Sequence, residues 1–216
     1  MSNIINLIKL SFNNFLSINK SIVFIVFCFS IAAVFNPAFS VMLIGMITYA
    51  IAYQTMAYED SYFIDYLISY LPVTKKEYVL SRYLFSLIIM VFSCVFFSIL
   101  YFICSKFNFM QNGDLSYEMI LSAGIFISVL LISICIPLLL KFGIVKGRTM
   151  MTLVFMVIIM IPSFVFINET DKGVISLSEK LAYINGDLLV GVFCIVCLLI
   201  SYFLSCKIYN NKELLN

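Results

Sequence analysis

The chain has 216 residues, 63% of them hydrophobic and only 11% charged, with a formal net charge of +2. A soluble domain carries roughly a quarter charged residues, so this composition excludes an ordinary water-soluble fold. Histidine is absent, which removes the commonest metal ligand and general base.

The first 18 residues are amphipathic. Ile4, Ile5, Ile8, Phe12, Phe15 and Leu16 recur at helical spacing, with Asn3, Asn6, Asn13 and Ser17 opposite. With Lys9 and Lys20 this pattern predicts a helix lying in the membrane interface and leading into the first span. Residues 21–58 then carry no charge. That run is long enough for two short helices, broken at Asn36-Pro37, because proline lacks the amide donor and displaces the preceding residue from helical geometry.

Residues 59–81 form the most patterned polar-flanked segment. Tyr58, Tyr62, Tyr66 and Tyr70 repeat every fourth residue, Phe63, Leu67 and Leu71 run beside them, and Ser61, Asp65 and Ser69 form a narrow polar stripe. A helix of this kind needs cover on most of its circumference. Part suits the interface, where tyrosine is favoured; the rest suggests a protein partner. Pro72 stops it, and Thr74-Lys75-Lys76-Glu77 reads as a capping box opening a new helix. Charge-free runs follow at 83–105, 119–140, 149–168 and 188–206, and all 13 Lys and Arg and all 11 Asp and Glu fall outside the five runs. The segment 141–148 holds Lys141, Lys146 and Arg148 with Gly143 and Gly147, and reads as a tight basic turn. Pro162 suggests a break near the end of its span, with 163–186 as a re-entrant or outer gate segment.

A span needs about 20 apolar residues. The expected fold is therefore an all-α membrane protein, one transmembrane domain over 1–216. It has six transmembrane helices at about 19–35, 38–58, 82–104, 119–140, 150–167 and 187–206. Ten Lys and Arg fall in the tails and the 59–82 and 141–148 segments, against three in the 105–118 and 168–187 loops. That bias predicts cytosolic N- and C-termini. Within the charge-free runs there is by definition no carboxylate, Lys or Arg to offer the coupling group of an ion-driven carrier. No phosphate-binding G-x-x-x-x-G-K-[ST] motif and no catalytic constellation occurs. Energy would have to come from a partner through the cytosolic segments.

Four stretches carry a resemblance that covers nearly the whole chain. They are Tyr58-Glu59-Asp60 with the helix after it; Leu71-Pro72-Val73-Thr74-Lys75-Lys76-Glu77 with Tyr78 to Leu84; Pro137 to Gly143 with Lys146-Gly147-Arg148; and Ser205 to Tyr209 with Lys212-Glu213-Leu214. In this order and spacing they resemble the permease subunit of a type-two ABC exporter, in the compact bacterial branch of phenol-soluble-modulin and bacteriocin-type peptide exporters. Tyr70 stands where that family often has Ser, and Val145 where it often has Glu.

The resemblance implies a non-enzymatic permease in the bacterial plasma membrane, paired with an identical or paralogous second copy. A separate cytosolic ATPase binds the ATP and magnesium, no cofactor is bound by this chain, and no nucleic-acid partner is implied. The coupling helix would lie between spans two and three, at 59–72. Its contacts with the ATPase would come from Glu59, Asp60, Tyr62, Phe63, Asp65, Tyr66, Leu67, Tyr70 and Leu71, with Lys141, Lys146 and Arg148 beside them. The cargo would be an amphipathic or hydrophobic peptide, or a similar membrane-active compound, moved outward through the lipid bilayer. The alternative is a non-transporting membrane immunity or assembly factor that binds a membrane-active toxin.

Overall fold

Asn36-Pro37 breaks the first apolar run where proline chemistry requires it. In the computed structural model, α2 spans Ser21–Phe35 and α3 spans Pro37–Ser61. The structure describes residues 2–17, 21–35, 37–62, 64, 70, 72–107, 117–168 and 186–211. Before α2 comes α1 (Ser2–Ser17); after α3 come α4 (Lys75–Lys106), α5 (Tyr117–Asn168) and α6 (Gly186–Asn210). Among the described residues there is no strand. Among the described residues, four helical stretches are long and apolar enough to cross a membrane: Phe39–Ser61, Lys75–Lys106, Tyr117–Gly143 and Val190–Asn210. Val26–Phe35 is a shorter apolar helix.

The capping box forms as its spacing predicts. The Thr74 backbone N–H donates to Glu77 Oε2 at 2.9 Å, and the Glu77 N–H donates to Thr74 Oγ1 at 3.3 Å. Each residue closes a backbone donor that the first helical turn would leave open. The 32 residues of α4 extend about 48 Å, beyond the ~30 Å hydrocarbon core. Part of it therefore stands outside that core.

The segment 141–148, expected as a loop, is instead almost wholly helical. α5 is interrupted only at Gly143, whose φ of 64° and ψ of −175° lie where glycine alone is unstrained. The chain reverses there. A Cβ on Gly147 would lie 3.9 Å from the Leu139 Cα, a pair that an unbroken helix would separate by about 12 Å. Met151 accordingly packs with Cys135 and Leu139 across the reversal. The helix also continues through Pro162 to Asn168, rather than ending at the proline; the rest of the expected gate segment, residues 169–185, lies outside the described residues.

α3 is the centre of the bundle. Val41, Leu43, Ile44, Ile47 and Ile51 form a core with Ala33 of α2, Phe85, Ile89 and Phe97 of α4, and Ile120 of α5. Two glycines let α3 and α5 approach closely: a Cβ on Gly45 would lie 2.8 Å from Ile127 Cγ2, and one on Gly124 would lie 2.8 Å from Ile44 Cδ1 and 3.2 Å from the Val41 carbonyl oxygen. Small polar groups tie the remaining helices, as expected where lipid offers no hydrophobic drive between them. Thr48 Oγ1 of α3 donates to Ser93 Oγ of α4 at 3.3 Å. The Tyr83 hydroxyl of α4 lies 2.6 Å from Ser201 Oγ and 2.8 Å from Ser205 Oγ of α6, and Ser201 donates to the Ser133 carbonyl of α5 at 2.6 Å.

Candidate functional site

The end of the bundle that carries α1, the last turn of α3, the start of α4, the Gly143 reversal and the end of α6 gathers most of the chain's cations. Lys9, Lys75, Lys76, Arg82, Lys141, Lys146, Arg148 and Lys207 all lie there, while Lys106 lies at the far end of α4. Lys75 Nζ donates to the Asn210 carbonyl at 3.0 Å, which places a cation on the carbonyl end of α6. This is the face that the positive-inside bias assigns to the cytosol.

At its centre is a buried ion pair. The Arg82 guanidinium meets the Glu59 carboxylate twice: Nη1 donates to Oε1 at 2.5 Å, and Nη2 contacts Oε2. Both side chains are only 3% exposed. Such a two-armed contact fixes orientation as well as distance. Two residues of α1 complete it, with Asn14 Nδ2 donating to Glu59 Oε1 at 3.0 Å and Arg82 Nη1 donating to Ser11 Oγ at 2.7 Å. The guanidinium carbon sits 4.5 Å above the Tyr78 ring, and Tyr78 packs on Tyr209 of α6 with ring centres 5.0 Å apart.

This explains the orientation of α1. Its buried residues are Leu7, Ser11 and Asn14. Ile5 and Leu16 are exposed, Leu16 by 77%, and are left for lipid, while Phe12 meets Phe85 of α4 edge-on with ring centres 5.4 Å apart and Phe15 packs on the core. The apolar spacing found the helix but not the face it turns to the protein, because Arg82 and Glu59 draw Ser11 and Asn14 inward.

The predicted coupling residues divide into three groups. Glu59 is turned inward onto Arg82, so its carboxylate is engaged within the chain. Asp60 and Tyr62 are exposed at the end of α3, and Tyr70 is exposed just before Pro72. Phe63, Asp65, Tyr66, Leu67 and Leu71 lie outside the described residues. Lys141, Lys146 and Arg148 are exposed around the reversal, with Lys141 Nζ 5.0 Å from the Phe142 ring centre. The two segments meet: a Cβ on Gly143 would lie 3.6 Å from Asp60 Oδ2. Arg82, Ser11, Asn14 and Tyr78 were not legible as a site; the only signal was an arginine just before an apolar run.

A model of the family described as ABC-2 family transporter protein matches residues 6–210. The chain belongs to that family. No curated protein and no solved structure matches it. Membership makes the chain a transmembrane subunit of an ABC transporter, and in this family such a permease works with an ABC ATPase. In the ABC-2 chain a concavity lies at the other end of the bundle. It holds about 440 Å³ between α5 and α6, and Ser122, Ala123, Phe126, Val190, Gly191 and Cys194 line it. Its described lining is mostly apolar.

Proposed function

We propose that the ABC-2 chain is the permease half of an ATP-driven exporter in a bacterial plasma membrane. It crosses the membrane six times with both termini in the cytosol, and two such subunits, identical or paralogous, frame one pathway. A separate ATPase binds ATP and magnesium and docks on the cytosolic face formed by 59–72 and 141–148. ATP binding draws two ATPases together and moves the 59–72 segment, and with it α3 and α4. Asp60, Tyr62, Tyr70, Lys141, Lys146 and Arg148 supply contacts there, as do Phe63, Asp65, Tyr66, Leu67 and Leu71. The cargo is an amphipathic or hydrophobic peptide, or a similar membrane-active compound; the apolar groove between α5 and α6 is in keeping with it.

One observation carries this reading. Asp60 and Gly143, 83 positions apart in sequence, are brought within van der Waals reach. The start of one segment with its own reason to meet a partner thus lies against the other.

The test is purification of the tagged chain from native membranes in mild detergent, followed by mass spectrometry and an ATP hydrolysis assay. A stoichiometric ATPase is expected with the wild type. It is lost from Leu67→Pro and from the triple variant Lys141→Glu, Lys146→Glu, Arg148→Glu. Recovery of the chain without any ATPase would overturn the proposal and favour a membrane immunity factor. Retention of the ATPase by both variants would move the docking face elsewhere.

A further inference from the structure

Glu59 stands in the last turn of α3 and Arg82 two turns into α4. Their pair therefore joins the two points from which the intervening segment leaves the bundle. Stability does not account for burying them. Replacing a buried ion pair by apolar side chains of similar volume is often neutral or stabilising, because desolvation offsets the attraction. Geometry does account for it. One N–H···O hydrogen bond with a second ion contact beside it holds two helices at one distance and one angle, which apolar packing alone does not.

The pair is braced from α1 as well. Asn14 bonds Glu59, where the segment begins, and Asn3 Nδ2 donates to the Pro72 carbonyl, where it ends, at 3.2 Å. α1 thus bridges the two ends of 59–72 over roughly 17 Å of helix. On the inner side, Arg82 passes the connection through Tyr78 to Tyr209 of α6.

We infer that Glu59 and Arg82, held by Ser11 and Asn14, are positioning residues for energy transfer: they join the end of α3 and the start of α4 into one rigid lever. A displacement of the segment between them then moves both spans together instead of being absorbed at its root. The inference rests on the coupling role proposed above for 59–72 and adds the residues that hold that segment in place.

The deciding variant is Glu59→Met combined with Arg82→Leu, which removes both charges and leaves neither orphaned. It inserts and melts like the wild type. Amide hydrogen exchange of the full chain in lipid nanodiscs then reads the clasp without any partner. Exchange through 57–62 and 74–81 rises about tenfold in the double variant, while the first half of α5 is unchanged. In native membranes the ATPase still co-purifies, but transport-linked hydrolysis falls at least about tenfold, since coupling and binding are separable free energies. Arg82→Lys keeps the charge without the paired contacts and falls between the two on both readouts.

A double variant with unchanged exchange, or with undiminished coupling, overturns the inference: the pair would then serve the fold alone. Arg82→Lys indistinguishable from wild type overturns the geometric account. Absence of an ATPase from wild-type membranes overturns the coupling reading instead, and the exchange measurement still decides whether the pair holds α3 to α4.

Discussion

α3 and α4 are neighbours that lipid treats in opposite ways. α3 is the least apolar of the four stretches long enough to span a membrane, yet 72% of its apolar stretch is buried within the protein. α4 and α6 are more apolar, and only 17% and 11% of theirs is buried. In water the order would be reversed. In a bilayer, apolar side chains gain little by leaving lipid tails for other apolar side chains, while polar groups and small residues draw helices together. α3 has Ser40, Thr48 and Thr55 buried, and Gly45 beside α5. α4 turns Ile88, Phe92, Val95, Ile99 and Phe102 outward. The first half of α5 warns against ranking by hydropathy alone: it is as apolar as α4, yet half buried, because Gly124 brings it against α3.

The contrast can be broken most severely on α4, whose two faces differ. Phe97 is fully buried with Tyr101 and Tyr117 about its ring, whereas Phe92 is exposed by 64%. Phe97→Ala should cost about 3–5 kcal/mol by the transfer and cavity terms of a buried aromatic. Phe92→Ala should stay within about 0.5 kcal/mol, as surface changes do. Thermal unfolding of both variants in one detergent checks this, and equal losses would mean that α4 has no lipid face in the isolated subunit. A smaller effect is expected at the close crossing. Gly124→Ala puts a methyl against the Val41 carbonyl, and overpacking costs about 1–3 kcal/mol; the same melts read it. Smallest is Thr48→Val, which removes the bond to Ser93 for about 0.6 kcal/mol, the average for such contacts between membrane helices. Its cycle with Ser93→Ala isolates that term, and a zero coupling would leave packing alone to hold α3 against α4.

Local chemistry was legible at several points that depend on near neighbours, though not at Pro162, where the helix continues. Pro37 ends one helix, Thr74 and Glu77 begin another, and the absence of charge marks what lipid accepts. Gly143 was legible as a turn, but not as a one-residue reversal between two continuous helices, since flanking residues from Pro137 to Arg148 give no sign of where regular hydrogen bonding stops. The inward turn of Glu59 was illegible for a different reason. A carboxylate at the end of an apolar helix looks the same whether it faces a partner or an arginine 23 positions on.

What the sequence determined by itself is the solvent and much of the elements: which stretches can lie in lipid, and where α2 ends and α3 and α4 begin. Those follow from single-residue transfer costs and backbone rules, which act over a turn or less. Only the tertiary structure decided that α3 is central, that α1 turns Ser11 and Asn14 onto Arg82 and Glu59, and that Asp60 lies by Gly143. These depend on side chains far apart in the chain satisfying one another at depth, where an unpaired polar group is costly and a paired one fixes the helices that carry it.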